Sequence, residues 1–237
     1  MLNPRSNEWL DQLPEAEFLR LQPHLRLVAL PAGERLYAPG DPIKKLLLPV
    51  TALIAYSREL REGTCVDTAL IGAQGVVGLR GLIDGPSLHG MHVAASGLAY
   101  VIDIVDFLPV WQDSVTLQRM CMRAGIRILD MVSTELACSR FHAVDARLAK
   151  WILLRHDHGT TNRIEATHQM VADSLGVRRE AVTNSLRKQG GVRVARGCLE
   201  VHDRQPLEAA CCECYATLNP TPGAQLCLPF QRAEAVS

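Results

Sequence analysis

The sequence lacks the features that would place it in a membrane or assign it a catalytic reaction. No run of about 18 uninterrupted apolar residues occurs, so no membrane-spanning helix is predicted. The first residues do not contain a basic segment followed by an apolar one, which is the pattern of a secretion signal. No nucleophile–base arrangement and no glycine-rich phosphate loop is present. We therefore expect a cytoplasmic protein that is not an enzyme, and whose eight cysteines are thiols rather than disulfides.

The chain of 237 residues also lacks net charge, but its charges are unevenly distributed. Between Arg147 and Arg204, eleven basic residues occur against six acidic ones. Because the whole chain has 25 residues of each sign, this segment carries +5 and the remainder carries −5. Such an asymmetry is typical of a DNA-binding region joined to an acidic sensor or scaffold.

The segment 167–189, THQMVADSLGVRREAVTNSLRKQ, has the pattern of two short helices. Thr167 is suited to cap the first helix, because its hydroxyl can accept a bond from a free backbone N–H. Met170, Val171 and Leu175 follow at helical spacing and predict one apolar side.

Three positions give this segment the spacing of a helix-turn-helix. Ala172 is small enough to let the helices approach, Gly176 can adopt the positive φ of the turn, and Val182 anchors the second helix on the first. The outward face of the second helix carries side chains that can contact base edges or phosphates. They are Arg178, Arg179, Glu180, Thr183, Asn184 and Lys188. Taken alone, such a face could also be merely solvated.

The residues after these helices favour DNA binding. Apolar residues at Val192, Val194, Leu199 and Val201 alternate around the dipeptide 196–197, Arg-Gly, which predicts a β-hairpin. A helix-turn-helix followed by a hairpin with arginine at its tip is a winged helix. An amphipathic helix from Ala143 opens this predicted domain, which covers residues 143–218.

The N-terminal part has a different sequence pattern, from which we predict a β-sandwich or jelly roll within residues 1–112. A short helical segment from Asn7 to about Leu25 comes first. Short apolar runs separated by turn residues then extend to Val105, too close together for the crossover helices of a parallel sheet. These runs are 27–30, 46–49, 52–56, 66–71 and 99–104.

A long helix is predicted over residues 113–142, between these two domains. An apolar stripe runs along it in steps of four and three residues, through Leu117, Cys121, Ala124, Ile128 and Met131. The stripe could pack on the β domain or pair with its copy in a second subunit. We predict the second, because helix-turn-helix proteins commonly act as dimers. The tail 219–237 is expected to contribute little ordered structure.

This order of elements resembles that of the Crp/Fnr transcription factors, from about Leu10 to Leu218. The most specific motifs are LGVRREAVT (175–183), RGCLEVHD (196–203) and PAGERLYAPGD (31–41). The resemblance implies an α+β fold with a β-roll of the cyclic-nucleotide-binding type, a dimerisation helix and a winged helix-turn-helix. It also implies a homodimer that binds double-stranded DNA at a two-fold related site, with RNA polymerase as a further partner.

The resemblance assigns roles to individual residues. Those that match base-reading positions, or lie beside them on the same helix face, are Arg179, Glu180, Thr183 and Asn184. The resemblance assigns contacts to the DNA backbone to Thr167 and Gln169, and the cations on the outer helix face and at the hairpin tip add Arg178, Lys188 and Arg196 as further backbone contacts. Asn184 stands where many relatives have arginine, and Ser185 where an aliphatic residue is usual.

The sequence departs from the nucleotide-binding pattern of that family. The turn that should hold the ribose reads Gly-Val-Val-Gly at residues 75–78 and has no glutamate. The stretch 86–93 has no arginine for the phosphate, although His89 and His92 could supply weaker positive charge; we interpret both as surface-loop residues. A buried phosphate without such partners would be costly. We predict that the effector is not cyclic AMP and leave it unidentified.

The cysteines near the C-terminus raise the question of a metal. Cys211, Cys212 and Cys214 lie close together, with Cys227 beyond them. A Cys-x-Cys pair leaves fewer residues between thiols than structural zinc sites use, so we expect no metal and no cofactor. Two alternatives to a DNA-binding regulator stay open. One is a ligand-binding module whose helix-turn-helix contacts proteins, and the other is a cysteine-based redox or metal sensor.

Overall fold

The computed structural model describes residues 2–61, 63–159 and 161–218. The predicted tail from 219 to 237, including Cys227, lies outside the described residues. None of the helices in the described ranges is long and apolar enough to cross a membrane.

The predicted helical lead-in contains two short helices, α1 (Glu8–Asp11) and α2 (Glu15–Leu21). Asn7 caps α1 by accepting a bond from the N–H of Leu10. The same buried side chain donates bonds to the carbonyls of Pro49 and Gly75, which lie far along the chain. Asn7 therefore fixes the lead-in against the domain that follows.

That domain contains two antiparallel sheets, with strand orders β1-β7-β3 and β2-β6-β4-β5. The strands are β1 (Arg26–Leu30), β2 (Arg35–Tyr37), β3 (Lys45–Pro49), β4 (Leu53–Glu59), β5 (Cys65–Ile71), β6 (Gly90–Ala95) and β7 (Gly97–Asp103). The five predicted apolar runs correspond to β1, β3, β4, β5 and β7. β2 and β6 were not predicted, because their apolar residues are few and interrupted. His92 consequently lies in a strand, not in the surface loop we expected, and His89 is half-buried just before that strand.

Two helices follow the β-roll, α3 (Ile104–Asp113) and α4 (Val115–Phe141). Ser114 begins α4 by accepting a bond from the N–H of Leu117. The 27 residues of α4 form the long helix that the sequence predicts.

The apolar stripe predicted to face a second subunit packs inside its own chain instead. Leu117, Cys121 and Met131 are buried in the core of the β-roll, and Ala124 and Ile128 pack against that core. Their spacing indicated correctly that one face of the helix is covered, but the covering element is the β-roll. Leu117, Cys121 and Met131 are therefore not available to a partner, whereas Ala124 and Ile128 remain partly exposed.

The C-terminal part has the winged-helix arrangement. Its elements are α5 (Val144–His158), β8 (Arg163–Glu165), α6 (His168–Leu175), α7 (Arg179–Leu186), β9 (Val192–Ala195) and β10 (Cys198–Val201). The small antiparallel sheet has the order β8-β10-β9. A second apolar core, separate from that of the β-roll, lies among α5, α6, α7 and this sheet.

Two further helices complete the described chain, α8 (Gln205–Ala210) and α9 (Cys214–Leu218). The backbone is interrupted at Cys211, where the conformation is extended.

Candidate nucleic-acid interface

The helix-turn-helix has the local structure that its sequence predicts. Thr167 caps α6 by accepting a bond from the N–H of Met170. Gly176 has φ +62° and ends α6, and the next N–H, that of Val177, donates to the carbonyl of Ala172 (3.0 Å). Ala172 and Val182 are fully buried between the helices. Met170, however, is exposed rather than on the apolar side.

Neighbouring elements hold α6 in place. The guanidinium of Arg147, on α5, donates to the carbonyl of Leu175 at the end of α6. The indole N–H of Trp151, also on α5, donates to the hydroxyl of Ser174 (2.8 Å). These bonds satisfy a free carbonyl at the helix end and set the orientation of α6 and the turn that follows it.

The outward face of α7 is free of internal bonds at four of the predicted positions. Within the described part of the chain, the side chains of Arg178, Arg179, Glu180 and Asn184 are exposed and make no hydrogen bond or salt bridge. Arg178 is the N-cap residue, and no side chain caps this helix end. The N-terminal N–H groups of α7 therefore point to solvent, beside two arginines, which is a favourable environment for an anion.

Four of the other side chains that we predicted to contact DNA already form bonds within the chain. Thr183 is half-buried and pairs with the ring of His168 (2.9 Å), while the amide of Gln169 donates to Asp173 (2.7 Å). The ammonium of Lys188 lies 3.1 Å from a carboxylate oxygen of Asp145. Thr167 is exposed, and its hydroxyl is the cap of α6. Of these bonds, the exposed Lys188–Asp145 pair is the one that a phosphate contact could replace at small cost.

The wing is the predicted hairpin. β9 and β10 pair with Ala195 opposite Cys198, so Arg196 and Gly197 form a two-residue turn. Gly197 has φ +76°, in the left-handed region that glycine adopts without steric cost. Arg196 is exposed at the tip. The structure thus brings α7, the start of α6 and the wing tip into one winged helix-turn-helix.

A buried ion pair that the sequence did not predict joins this unit to the β-roll. Asp67, on β5, accepts a bond from the guanidinium of Arg155, on α5 (3.1 Å), and both side chains are almost fully buried. The hydroxyl of Ser174, on α6, donates to the same carboxylate oxygen. Arg155 also stacks on the ring of Trp151 at 3.7 Å. Burial lowers the pKa of Arg155 to about 10, and the negative charge of Asp67 opposes that shift.

In the β-roll, the turn at residues 75–78, which corresponds to the nucleotide-binding turn of the Crp/Fnr family, is packed against the protein core. The side chain of Val76 is buried in the core, at the position where nucleotide binders have glutamate. The hydroxyl of Tyr56 accepts a bond from the N–H of Gly78 (3.4 Å), and burial raises the pKa of Tyr56 to about 12. Arg80, the nearest arginine in sequence, is exposed and donates to the carbonyl of Pro86 (2.7 Å).

His89 is also a poor substitute for a cation. Burial lowers the pKa of its imidazole, and the neighbouring charges of Arg58 and Arg80 lower it further. Its ring packs edge-on against Tyr56, with centroids 5.9 Å apart. Both effects disfavour the charged form of His89, which makes it a weaker substitute for the missing arginine.

Comparison with known proteins agrees with this architecture. Residues 146–210 match the family model of the Crp-like helix-turn-helix domain. A crp/fnr-family regulator from Eubacterium rectale is 18% identical and has a TM-score of 0.69, over 87% of this chain and 98% of the other. FixK2 from Bradyrhizobium japonicum is 16% identical, with a TM-score of 0.64, over 79% of this chain and 98% of its own.

A CRP/FNR-family transcriptional regulator from Thermus thermophilus is similar to the same degree, with 18% identity and a TM-score of 0.63 over 78% of this chain and 97% of the other. A search of curated protein sequences found no match. At these identities the structural comparisons establish the fold. Residues 146–210 are thus a Crp-like helix-turn-helix domain, and the chain has the fold of the Crp/Fnr transcriptional regulators.

Proposed function

We propose that this protein is a sequence-specific DNA-binding transcription regulator. The observation that supports this most directly is the outward face of α7, where Arg178, Arg179, Glu180 and Asn184 are exposed and unpaired on a Crp-like helix-turn-helix. Arginine can donate two bonds to guanine, and glutamate can accept one from cytosine. A protein-binding helix would instead be expected to present an apolar face.

The proposed division of roles follows the geometry. Residues on the outer face of α7 contact bases: Arg179, Glu180, Thr183 and Asn184. Residues at the borders of that face and on the wing contact phosphates: Thr167, Gln169, Arg178, Lys188 and Arg196. Thr183 and Gln169 must first exchange the bonds that they make to His168 and Asp173.

We propose that the active form is a homodimer, with a contact surface different from the one that the sequence suggested. A second apolar stripe runs along α4 on the face away from the β-roll, through Met122, Ile126, Leu129 and Leu136. These side chains are 53–64% exposed and again follow heptad spacing. A contiguous apolar stripe of this length in contact with water favours burial against a partner.

Gly125 fits this proposal. Among the described residues, no atom lies within 4 Å of the position that a Cβ would take there. A partner helix could therefore approach closely between Met122 and Leu129. Two such helices, related by a two-fold axis, would place the two α7 helices on half-sites about 34 Å apart, one turn of DNA.

Selection of bound duplexes from a random pool tests the DNA-binding proposal. A two-fold related motif is expected, and affinity should fall steeply as salt increases because phosphate contacts release counterions. The absence of any enriched sequence would contradict sequence-specific binding. The resemblance also implies RNA polymerase as a partner, which transcription in vitro from the selected site would test.

Sedimentation tests the dimer separately. Leu129→Glu should convert a dimer into a monomer, because it places a charge in the centre of the proposed apolar contact. Leu19→Glu introduces the same charge at an exposed leucine on α2 and should remain dimeric. A monomeric wild-type protein, or a dimer unaffected by Leu129→Glu, would refute this surface without affecting the assignment of α7.

A further inference from the structure

Four potential metal ligands meet at the joint between the long helix and the winged helix, and the proposed DNA contacts do not use them. They are Cys138 and His142 at the end of α4, and Cys212 and Cys214 around the start of α9. Their ligand atoms, three sulfurs and one ring nitrogen, all lie within 4.8 Å of one another. All three cysteines are buried.

Two of the distances between ligand atoms match those of a tetrahedral site, and the others are no longer than 4.8 Å. The sulfurs of Cys138 and Cys212 are 3.6 Å apart, and the sulfur of Cys214 is 3.6 Å from Nδ1 of His142. Zinc binds sulfur at about 2.3 Å and nitrogen at about 2.0–2.1 Å, so neighbouring ligands of a tetrahedral ion lie roughly 3.5–3.8 Å apart. The sulfurs of Cys138 and Cys212 are much farther apart than in a disulfide, which is about 2.05 Å.

The surroundings provide the groups that such a site needs. Nε2 of His142, the nitrogen not facing the thiols, lies 3.3 Å from a carboxylate oxygen of Glu213. Histidine ligands usually donate their second N–H to a carboxylate in this way, which fixes the tautomer and orients the ring. The buried ammonium of Lys150 is held by Glu135 (2.6 Å) and also lies against Cys138. This ammonium stabilises a thiolate at Cys138, while Glu135 balances its charge.

We propose that Cys138, His142, Cys212 and Cys214 bind one Zn²⁺ per chain. Thiolate and imidazole ligands in tetrahedral geometry select zinc over oxygen-preferring ions, and four protein ligands leave no open position, as in structural sites. Each thiol that is protonated releases its proton to solvent when its sulfur binds the ion. The partly exposed ring of His142 provides the route of entry.

The site would tie the C-terminal segment to the joint between α4 and α5. Cys138 and Cys212 are 74 residues apart in the chain, and the extended backbone at Cys211 turns the following cysteines towards α4. Metal binding would then stabilise the position of α9 beside the start of the winged helix, because its free energy contributes only when the four ligands are together.

Metal content of the purified full-length chain tests the proposal. After incubation with Zn²⁺ and removal of the excess, the wild-type protein should retain one zinc per chain, and Cys138→Ser and Cys212→Ser should retain none. Cys211→Ser is the matched control. Its sulfur donates to the carbonyl of Glu208 (3.3 Å), outside the cluster, so this variant should retain zinc. Cys227→Ser should retain zinc as well.

Cobalt provides a readout that requires no variant. Co²⁺ added to the wild-type protein should give the intense visible absorption of a tetrahedral ion, together with a sulfur-to-metal charge-transfer band in the near ultraviolet. Glu213→Gln should keep this spectrum but weaken zinc binding about 10–100-fold, because the ring of His142 loses its orienting partner.

Three results would overturn the proposal. The first is a wild-type protein that retains no zinc and gives no tetrahedral cobalt spectrum, and the second is a loss of zinc from Cys211→Ser equal to that from Cys138→Ser. The third is a Cys138–Cys212 disulfide that forms in metal-free protein and that Zn²⁺ does not prevent. The disulfide would lower the mass of the unreduced chain by two hydrogens. These measurements detect metal and not DNA, so their failure would leave the proposed DNA binding unaffected.

Discussion

The winged helix and the β-roll each have their own apolar core, but they use polar side chains differently. On the winged helix, Arg178, Arg179 and Glu180 are exposed, and their side chains have no partner among the residues that the structure describes. In the β-roll, the turn at residues 75–78 is packed into the core: Val76 is buried, and the N–H of Gly78 donates to the hydroxyl of Tyr56. The comparison indicates that the winged helix presents exposed polar side chains for a partner, whereas the turn at residues 75–78 of the β-roll does not.

The two regions are nevertheless joined by a buried polar contact. Asp67 of the β-roll bonds to Arg155 and Ser174 of the winged helix, and a Cβ at Gly176 would lie only 3.3 Å from Val66. The turn of the helix-turn-helix is thus packed against β5. A substitution in the β-roll near Asp67 would therefore directly alter the contacts of α6.

The largest effect is expected from breaking that contact. Asp67→Asn leaves the guanidinium of Arg155 buried without a counter-charge, and the free energy of unfolding should fall by about 3–5 kcal/mol. Asp103→Asn removes a carboxylate from a surface pair with Arg26 and should cost less than about 1 kcal/mol. Denaturant unfolding of both variants measures the difference. Equal losses would mean that the buried pair does not join the two regions.

A smaller effect, confined to the winged helix, is expected from Glu180→Ala. Loss of a base contact should cost about 1–3 kcal/mol of discrimination and change the preferred base at one position of each half-site. Selection from a random duplex pool measures this, with Glu34→Ala in the β-roll as a control for loss of an exposed acid. An unchanged motif would show that α7 does not read bases through Glu180.

Lys188→Ala should weaken binding slightly and to the same extent on all sequences. One phosphate contact is lost, so the slope of log K against log salt should become shallower by about 0.9. Asp145, left without its partner, should add a small repulsion from the DNA. Lys44→Ala removes an exposed cation from the β-roll and should leave the slope unchanged. A change in sequence preference in Lys188→Ala would place this residue at a base instead.

No effect at all is expected from cyclic AMP or cyclic GMP. A ligand shifts an equilibrium only through contacts that differ between two states, and the β-roll offers neither the acid for a ribose nor the arginine for a phosphate. His89 is a weaker substitute for that arginine, because burial lowers the pKa of its imidazole. Calorimetric titration with each nucleotide checks this. A saturable heat with micromolar affinity would show that another cation, such as His89 or His92, takes the place of the missing arginine.

Features encoded within a few consecutive residues could be predicted from the sequence. The helix-turn-helix depends on the spacing of Ala172, Gly176 and Val182, and the wing on a two-residue turn, so both follow from local sterics and hydrogen bonding. Strands β2 and β6 were missed because an edge strand or an irregular strand carries little periodic signal.

The apolar residues of α4 show what the periodicity of a sequence cannot predict. Helix α4 has two apolar stripes, one through Leu117, Cys121 and Met131 and another through Met122, Ile126 and Leu129. The repeat of three and four residues identifies an apolar face, but it does not state what covers that face. Only the packing of α4 on the β-roll shows which stripe is already buried.

By itself, the sequence determined the order of the elements, the turn at Gly176, the hairpin tip at Arg196 and the absence of nucleotide anchors in the turn at residues 75–78. Tertiary structure alone decided the contacts between distant segments. It paired Asp67 with Arg155, it covered one stripe of α4, and it brought Cys138 and His142 to Cys212 and Cys214. The physical reason is that hydrogen bonding and steric preferences act over a few residues, whereas burial and ion pairing depend on which surfaces the folded chain brings together.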